Sequence, residues 1–325
     1  MRIQIVGAGS WGLALSRLLA LNGHQVSVWC REEDGPDQLR SERTSPVYLA
    51  GVRLPKSIEI VRETDPNAEM AVLAVPSHVM REAVKAHPFS NATIRVSVAK
   101  GIENDTLMRM SEVIRAASSK APVVVLSGPS HAEEVGQDLP CSVCVASEDA
   151  AAAETVQDAF MGPTFRVYTT PDVVGVELGG ALKNVIAIAA GVCDGLKLGD
   201  NARAALITRG LAEMARLGVA MGADAQTFAG LSGMGDLITT CTSTHSRNHS
   251  VGARIAQGMS PDEAVAASPM VAEGVRTAKS VHALSAKYGV QMPISEQVYR
   301  VLFEGVNPKA AIAELMGREA KPEQG

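Results

Sequence analysis

Short runs that are apolar at nearly every position alternate with amphipathic stretches through the first half of the chain. The apolar runs are Arg2 to Val6, Gln25 to Trp29, Met70 to Ala74, Thr93 to Val98 and Val123 to Leu126. Runs of this length and uniformity predict strands buried on both faces, and their alternation with helical patterns predicts βαβ units on one sheet. After Thr170 the strand signals stop. Leu178, Leu182, Val185, Ile186 and Ala189 then fall on one helical face, the spacing of a core-facing helix. Helix starts are signalled at Pro171-Asp172 and at Ser260-Pro261-Asp262, where a capping or first-turn residue stands beside proline. The pattern predicts an α/β domain over 1–170 with a doubly wound parallel sheet, followed by an all-helical domain over 171–325. The segment Arg31 to Lys56 is polar and carries Gly35-Pro36, Ser45-Pro46 and Gly51. It reads as a long loop with a short helix, of a length that suits a lid. The polar tail Lys321 to Gly325 is expected to fray.

Composition narrows the function classes. The chain has 325 residues, 46% apolar and 20% charged, enough for two folded domains at about 150 residues each and incompatible with disorder. A formal net charge of −5 and 3% aromatic residues leave neither a basic stripe nor stacking platforms, so nucleic acid is not an expected partner. The longest apolar runs, such as Met70 to Val75, are strand-length, so no membrane insertion is expected. The opening residues lack the pattern of a secretory leader, which predicts a cytoplasmic protein. Cys30, Cys141, Cys144, Cys193 and Cys241 are odd in number and scattered, as reduced thiols are.

The strongest local motif is Gly7-Ala8-Gly9-Ser10-Trp11-Gly12 between the first strand and a helical run from Leu13 to Leu21. In that context G-x-G-x-x-G is a dinucleotide-binding turn. Gly7 makes the bend, Gly9 lets the backbone approach a pyrophosphate, and Gly12 lets helix and strand pack closely. The fold expected is therefore Rossmann-like. The second strand ends in Arg31, which suits the 2′-phosphate of NADP, but Glu32 and Glu33 follow and suit the ribose of NAD. NADP is favoured because the arginine comes first. Lys100 and Ser130 end two further strand segments and should face the cofactor crevice. Gly179-Gly180-Ala181-Leu182-Lys183-Asn184 places a lysine in an apolar helix beside two small residues, where loss of water lowers its pKa toward neutrality. Ser246-Arg247-Asn248 at a helix start suits a phosphate monoester. His245 and His249 are spaced i, i+4 but have no obvious third ligand, so no metal is expected. Cys141 and Cys144 match C-x-x-C in a strand-like run, which predicts buried strand thiols rather than a redox pair.

Taken together the chain closely resembles the bacterial NAD(P)-dependent glycerol-3-phosphate dehydrogenase family. The resemblance lies in the glycine turn, Val75-Pro76-Ser77, Ala99-Lys100-Gly101-Ile102-Glu103, Gly128-Pro129-Ser130, Ala181-Leu182-Lys183-Asn184-Val185, Gly235-Asp236-Leu237, Ser246-Arg247-Asn248 and Val271-Ala272-Glu273-Gly274. It implies hydride transfer between NAD(P) and the pair dihydroxyacetone phosphate and sn-glycerol 3-phosphate, for phospholipid synthesis, in a homodimer. It further implies cofactor contacts at Ser10, Trp11, Arg31, Lys100, Ala132, Arg247, Val271 and Glu273. Substrate contacts would be Lys100, Gly128, Ser130, Asp236, Ser246, Arg247 and Asn248. Lys183 matches the family's proton acceptor, Asp236 and Lys100 would assist it, and Thr240 falls at a substrate-side hydroxyl. The sequence departs from the family pattern at His131, where phenylalanine is usual, and at Ser45, where asparagine is usual. A carboxylate-substrate reductase of similar architecture, such as a 3-hydroxyacid dehydrogenase or ketopantoate reductase, and a non-catalytic dinucleotide sensor are the alternative readings.

Overall fold

The computed structural model describes residues 1–325 except 46, 91, 92, 119, 120, 269, 321, 324 and 325. Pro46 of the expected Ser45-Pro46 turn and most of the expected frayed tail lie outside the described residues. Eight strands form one sheet: β1 Arg2–Val6, β2 Gln25–Trp29, β3 Glu59–Val61, β4 Met70–Leu73, β5 Ile94–Ser97, β6 Val123–Ser127, β7 Cys141–Ala146 and β8 Phe165–Thr170. Their order is β3-β2-β1-β4-β5-β6-β7-β8. The direction of winding reverses between β1 and β4, which opens a crevice at the carboxyl ends of those strands.

The sheet is not parallel throughout. The strands from β3 to β6 are mutually parallel, β7 pairs antiparallel with β6, and β8 runs parallel to β7. The connection from β6 to β7 passes through the short helix Ala132–Gly136. The strands β3 and β8 add to those expected. β3 is three residues long, and β8 alternates buried and exposed positions from Phe165 to Tyr168, as an edge strand does.

The turn after β1 forms as its sequence requires. Gly7 has φ +113°, a region side chains avoid. A Cβ on Gly12 would lie 2.0 Å from the Gly7 carbonyl oxygen, whereas nothing stands within 4 Å of one on Gly9. The first and third glycines let strand and helix meet, and the second leaves the space above the turn open. The helix that follows spans Ser10–Leu21, three residues earlier than its apolar pattern begins. The segment after β2 contains a 3₁₀ turn, Glu32–Asp34, and a helix, Pro36–Glu42, before an irregular stretch to Lys56.

Beyond Thr170 every described element is helical. The helix Val173–Gly195 runs through this half and is capped by Asp172, whose side chain accepts from the Gly175 amide. By length and composition it is apolar enough to cross a membrane, unlike the strand-length runs singled out in the sequence, but 89% of its apolar window is buried inside the protein. Its neighbours Asp200–Ala220, Asp236–Thr242, Arg247–Ala256 and Glu273–Tyr288 surround it. A π-helical turn, Leu231–Gly235, leads directly into the helix that begins at Asp236.

Candidate active site

The sheet half and the helical half meet where the loops after β5 and β6 face the long helix. A Cβ on Gly180 would lie 2.6 Å from Ser127 Oγ and 3.4 Å from Lys100 Cγ, and one on Gly179 would lie 2.4 Å from the Ser232 carbonyl oxygen. The two glycines thus let the end of β6 and the π-helical turn approach the long helix, and this brings three distant charges together.

Lys183 Nζ donates to Asp236 Oδ1 at 2.6 Å and to Thr240 Oγ1 at 2.5 Å. Lys100 Nζ donates to Asp236 Oδ2 at 2.8 Å, to the Gly128 carbonyl at 2.9 Å and to Ser130 Oγ at 3.4 Å. Asp236 and Lys183 are almost completely buried, with side chains 2% and 6% exposed. An ammonium carries three N–H donors. Among the described residues Lys100 has a partner for each, whereas Lys183 has two and keeps one N–H to spare. Burial pushes the Lys183 pKa down to about 8, aided by Lys100 and opposed by Asp236. Burial alone would raise the Asp236 pKa, yet Lys100 and Lys183 together outweigh it and hold the carboxylate below its usual range. Thr240, expected on the substrate side, is bonded to Lys183 and donates to the Asp236 carbonyl at 2.6 Å.

A chain of buried amides fixes the surroundings. Asn184 Nδ2 donates to the Lys100 carbonyl at 3.1 Å, Asn248 Nδ2 donates to Asn184 Oδ1 at 2.9 Å, and the Gly274 amide donates to Asn248 Oδ1 at 2.9 Å. The Asn248 side chain, expected on a phosphate, is therefore engaged within the protein. Ser246 caps its helix by accepting from the His249 amide, which leaves the Arg247 and Asn248 amides as first-turn donors without a carbonyl one turn back. Asn184 was not assigned a role from sequence; its only local signal was a polar residue beside Lys183 on an otherwise apolar helix.

On the cofactor side the fit is tested by what is left unpaired. Trp11 Nε1 is buried with no hydrogen-bond partner among the described residues, and nothing stands within 4 Å of a Cβ on Gly9. Ser10 Oγ accepts from the Leu49 amide at 3.2 Å, so the segment 31–51 rests on the glycine turn as a lid would. These features suit a dinucleotide. Arg31 is half-exposed and its guanidinium bonds Asp34, with Glu33 3.5 Å away, while Glu32 pairs with Arg62. Asp34 is buried at 8% exposure and was not singled out in the sequence. Glu273 accepts from the Ser77 amide at 2.9 Å and from Ser77 Oγ at 2.5 Å, and Arg247 Nη1 reaches the Val271 carbonyl at 3.4 Å. Ala132 is buried at the start of its helix, directly after the Gly128–Ser130 turn.

The two histidines of the i, i+4 pair go different ways. His249 Nε2 meets Asp194 at 2.8 Å, and His245 packs against His131. Cys141 and Cys144 lie on β7 and are half-buried rather than fully buried; burial pushes their thiols up to about 12 and about 11, so neither is a thiolate near neutral pH.

Models of the N-terminal and C-terminal halves of NAD-dependent glycerol-3-phosphate dehydrogenase match residues 2–153 and 172–313. The chain belongs to this family. It is 52% identical over 326 residues to a glycerol-3-phosphate dehydrogenase (NAD(P)+) of Pelotomaculum thermopropionicum, covering 98% of this chain and 93% of that one. It is also 52% identical over 327 residues to one of Agathobacter rectalis, covering 99% and 97%. The crystal structure of glycerol-3-phosphate dehydrogenase from Coxiella burnetii superimposes with a TM-score of 0.93 at 37% identity, covering 98% and 99%. Membership in the family gives the Lys183, Asp236 and Lys100 cluster a reaction to be weighed against, and it sets aside the carboxylate-substrate and sensor readings.

Proposed function

We propose that this chain interconverts dihydroxyacetone phosphate and sn-glycerol 3-phosphate with NAD or NADP, and that Lys183 moves the proton. One observation carries the assignment of Lys183. It is the buried ammonium with an uncommitted N–H, and its pKa of about 8 lets it both give and take a proton near neutrality. A bound nicotinamide supplies the hydride to the substrate C2 in reduction and accepts it in oxidation. As negative charge grows on the carbonyl oxygen, the spare N–H of Lys183 stabilises it and then transfers its proton, leaving a neutral amine that solvent reprotonates. Asp236 and Thr240 hold Lys183 in place, and Lys100 adds positive charge from the sheet side. The substrate phosphate sits at the helix start, on the Arg247 side chain and the Arg247 and Asn248 amides.

In this reading residues 1–170 carry the cofactor, on Gly7, Gly9, Ser10, Trp11, Gly12, Arg31 and Ala132, with Arg247, Val271 and Glu273 reaching it from the other half. Residues 171–325 carry most of the substrate contacts, with Lys100, Gly128 and Ser130 added from the first half. The product, glycerol 3-phosphate, would serve phospholipid synthesis in the cytoplasm, where the five free thiols remain reduced. We take the protein to be a homodimer. A cavity of about 1220 Å³ away from the site, lined by Ala205, Leu206, Val298 and Leu315 among others, offers an apolar face for a second copy; light scattering on the purified protein tests this. The reaction is tested by mixing protein with dihydroxyacetone phosphate and following NADPH and NADH absorbance. Oxidation of either is expected, and its absence from protein that binds NADPH would overturn the assignment.

A further inference from the structure

His131 belongs to the site but has no part in the proton transfer above. It follows Ser130 and precedes the helix Ala132–Gly136. Its Nε2 is buried and has no hydrogen-bond partner among the described residues. Its ring lies 5.8 Å from that of His245, tilted by 52°, so a residue of the turn before Ser246 covers it from the helical half. The charged groups around it are Lys183, Lys100, Glu134 and Asp236; burial first, then the charges of Lys183 and Lys100, keep the imidazole neutral.

Buried side-chain nitrogens are paired in the great majority of cases. None of the polar groups around it bonds it: Lys100 donates to three other partners, Lys183 donates to Asp236 and Thr240, and Ser130 Oγ donates to the Gly128 carbonyl at 2.9 Å. The unpaired nitrogen therefore awaits something from outside the protein. A neutral imidazole within the field of two ammonium groups is matched to a neutral hydroxyl, since an anion is better served by the lysines themselves. Dihydroxyacetone phosphate offers three polar features. The phosphate is taken by the helix start and the carbonyl by Lys183, which leaves the free hydroxyl.

We propose that His131 Nε2 holds the free hydroxyl of the substrate, so that this residue selects a hydroxymethyl ketone over a methyl ketone. The inference rests on the reading that dihydroxyacetone phosphate is the substrate. Its test compares kcat/KM for that ketone with kcat/KM for acetol phosphate, which carries a methyl group in place of the hydroxymethyl. The native protein is expected to favour dihydroxyacetone phosphate by roughly tenfold or more. His131→Phe keeps a ring and removes both nitrogens, and it should reduce that preference at least about fivefold. His131→Leu makes the same test if the phenylalanine variant does not fold, and His131→Gln, which retains a donor and an acceptor, should keep part of the preference. Equal losses on both ketones in the Phe or Leu variant would assign His131 a packing role and overturn this inference alone. A native protein inert with both ketones would overturn the reaction assignment and this inference with it.

Discussion

Two buried carboxylates, Glu177 on the long helix and Asp236 on the helix packed beside it, are both bonded to cations, yet they behave oppositely. Asp236 has two lysines to itself, and their combined charge outweighs burial and holds it ionised below the usual carboxylate range. Glu177 accepts from Arg109 Nη1 at 2.6 Å, from the Ser111 amide at 2.7 Å and from Ser111 Oγ at 2.7 Å, but burial dominates and its pKa rises. The difference lies in the charge count of each cluster. Arg109 is shared with Glu112 at 2.9 Å, so one cation serves two carboxylates there, whereas two cations serve one carboxylate around Asp236. The first cluster ties the helix Met110–Ala117 of the sheet half to the long helix and has no charge to spare. The second carries a net positive charge in a buried crevice, the arrangement that the proposed reading needs to attract an anionic substrate and to donate a proton.

The sharpest way to break the comparison is to remove the spare proton. Lys183→Met keeps the length of the side chain and leaves Asp236 its bond to Lys100. The expected loss is about 10²–10⁴-fold in kcat, measured as steady-state NAD(P)H oxidation, with the melting temperature checked alongside. Near-native kcat in a folded Lys183→Met protein would remove the proton-transfer role from this residue.

Removing the shared carboxylate should move the pH profile as well as the rate. Ketone reduction needs protonated Lys183, so in the native protein its rate should fall as pH rises through about 8, while alcohol oxidation rises through the same interval. Asp236 raises the Lys183 pKa; in Asp236→Asn the falling limb should therefore appear at lower pH. An unmoved limb would mean that another group sets it.

The stability of the two clusters gives a smaller and independent contrast. A carboxylate with a depressed folded pKa stabilises above its unfolded pKa, and that contribution disappears as pH falls through the folded value. One with a raised folded pKa contributes most in acid and loses ground as pH rises. Urea unfolding from about pH 3 to pH 7 should thus show the Asp236→Asn penalty growing with pH and the Glu177→Gln penalty shrinking. Near neutrality Glu177→Gln is expected to cost about 1–3 kcal/mol while kcat stays within about twofold, since Glu177 touches no group of the site. Parallel pH trends in the two variants would show that charge count does not distinguish the clusters.

Much of the candidate site was legible because in α/β folds the crevice at strand ends gathers polar side chains, where short apolar runs stop at polar residues. That rule flagged Lys100 and Ser130, and the bounds of β1 and β2 came directly from their apolar runs. Lys183 stood out as a cation in an apolar helix. What remained hidden depends on chain closure. The Asn184 to Asn248 bond joins residues 64 apart in sequence, and the Ser77 to Glu273 bond joins residues 196 apart. Neither side chain has a local pattern that names its partner. β3 is too short to register as an apolar run, and β7 reads as a strand without revealing its direction. The period-two alternation of β8 was a usable signal, with Phe165 and Val167 buried and Arg166 and Tyr168 exposed.

The smallest effect is expected where the same contest between charges takes place in water. Arg31 has two acidic neighbours, Asp34 and Glu33, and a side chain 57% exposed, so it resembles the Glu177 cluster in charge count but lacks its burial. To bind the 2′-phosphate of NADP the guanidinium must exchange these partners for the phosphate, a trade that solvent screening keeps modest. Arg31→Ala is expected to lower kcat/KM for NADPH about tenfold and for NADH less than about twofold. The NADPH loss should shrink as salt is raised, because an exposed ion pair is screened and a buried one is not. A loss that is equal for both cofactors would place Arg31 on the adenine or the lid, and the preference for NADP would then have to come from elsewhere in the segment 31–51.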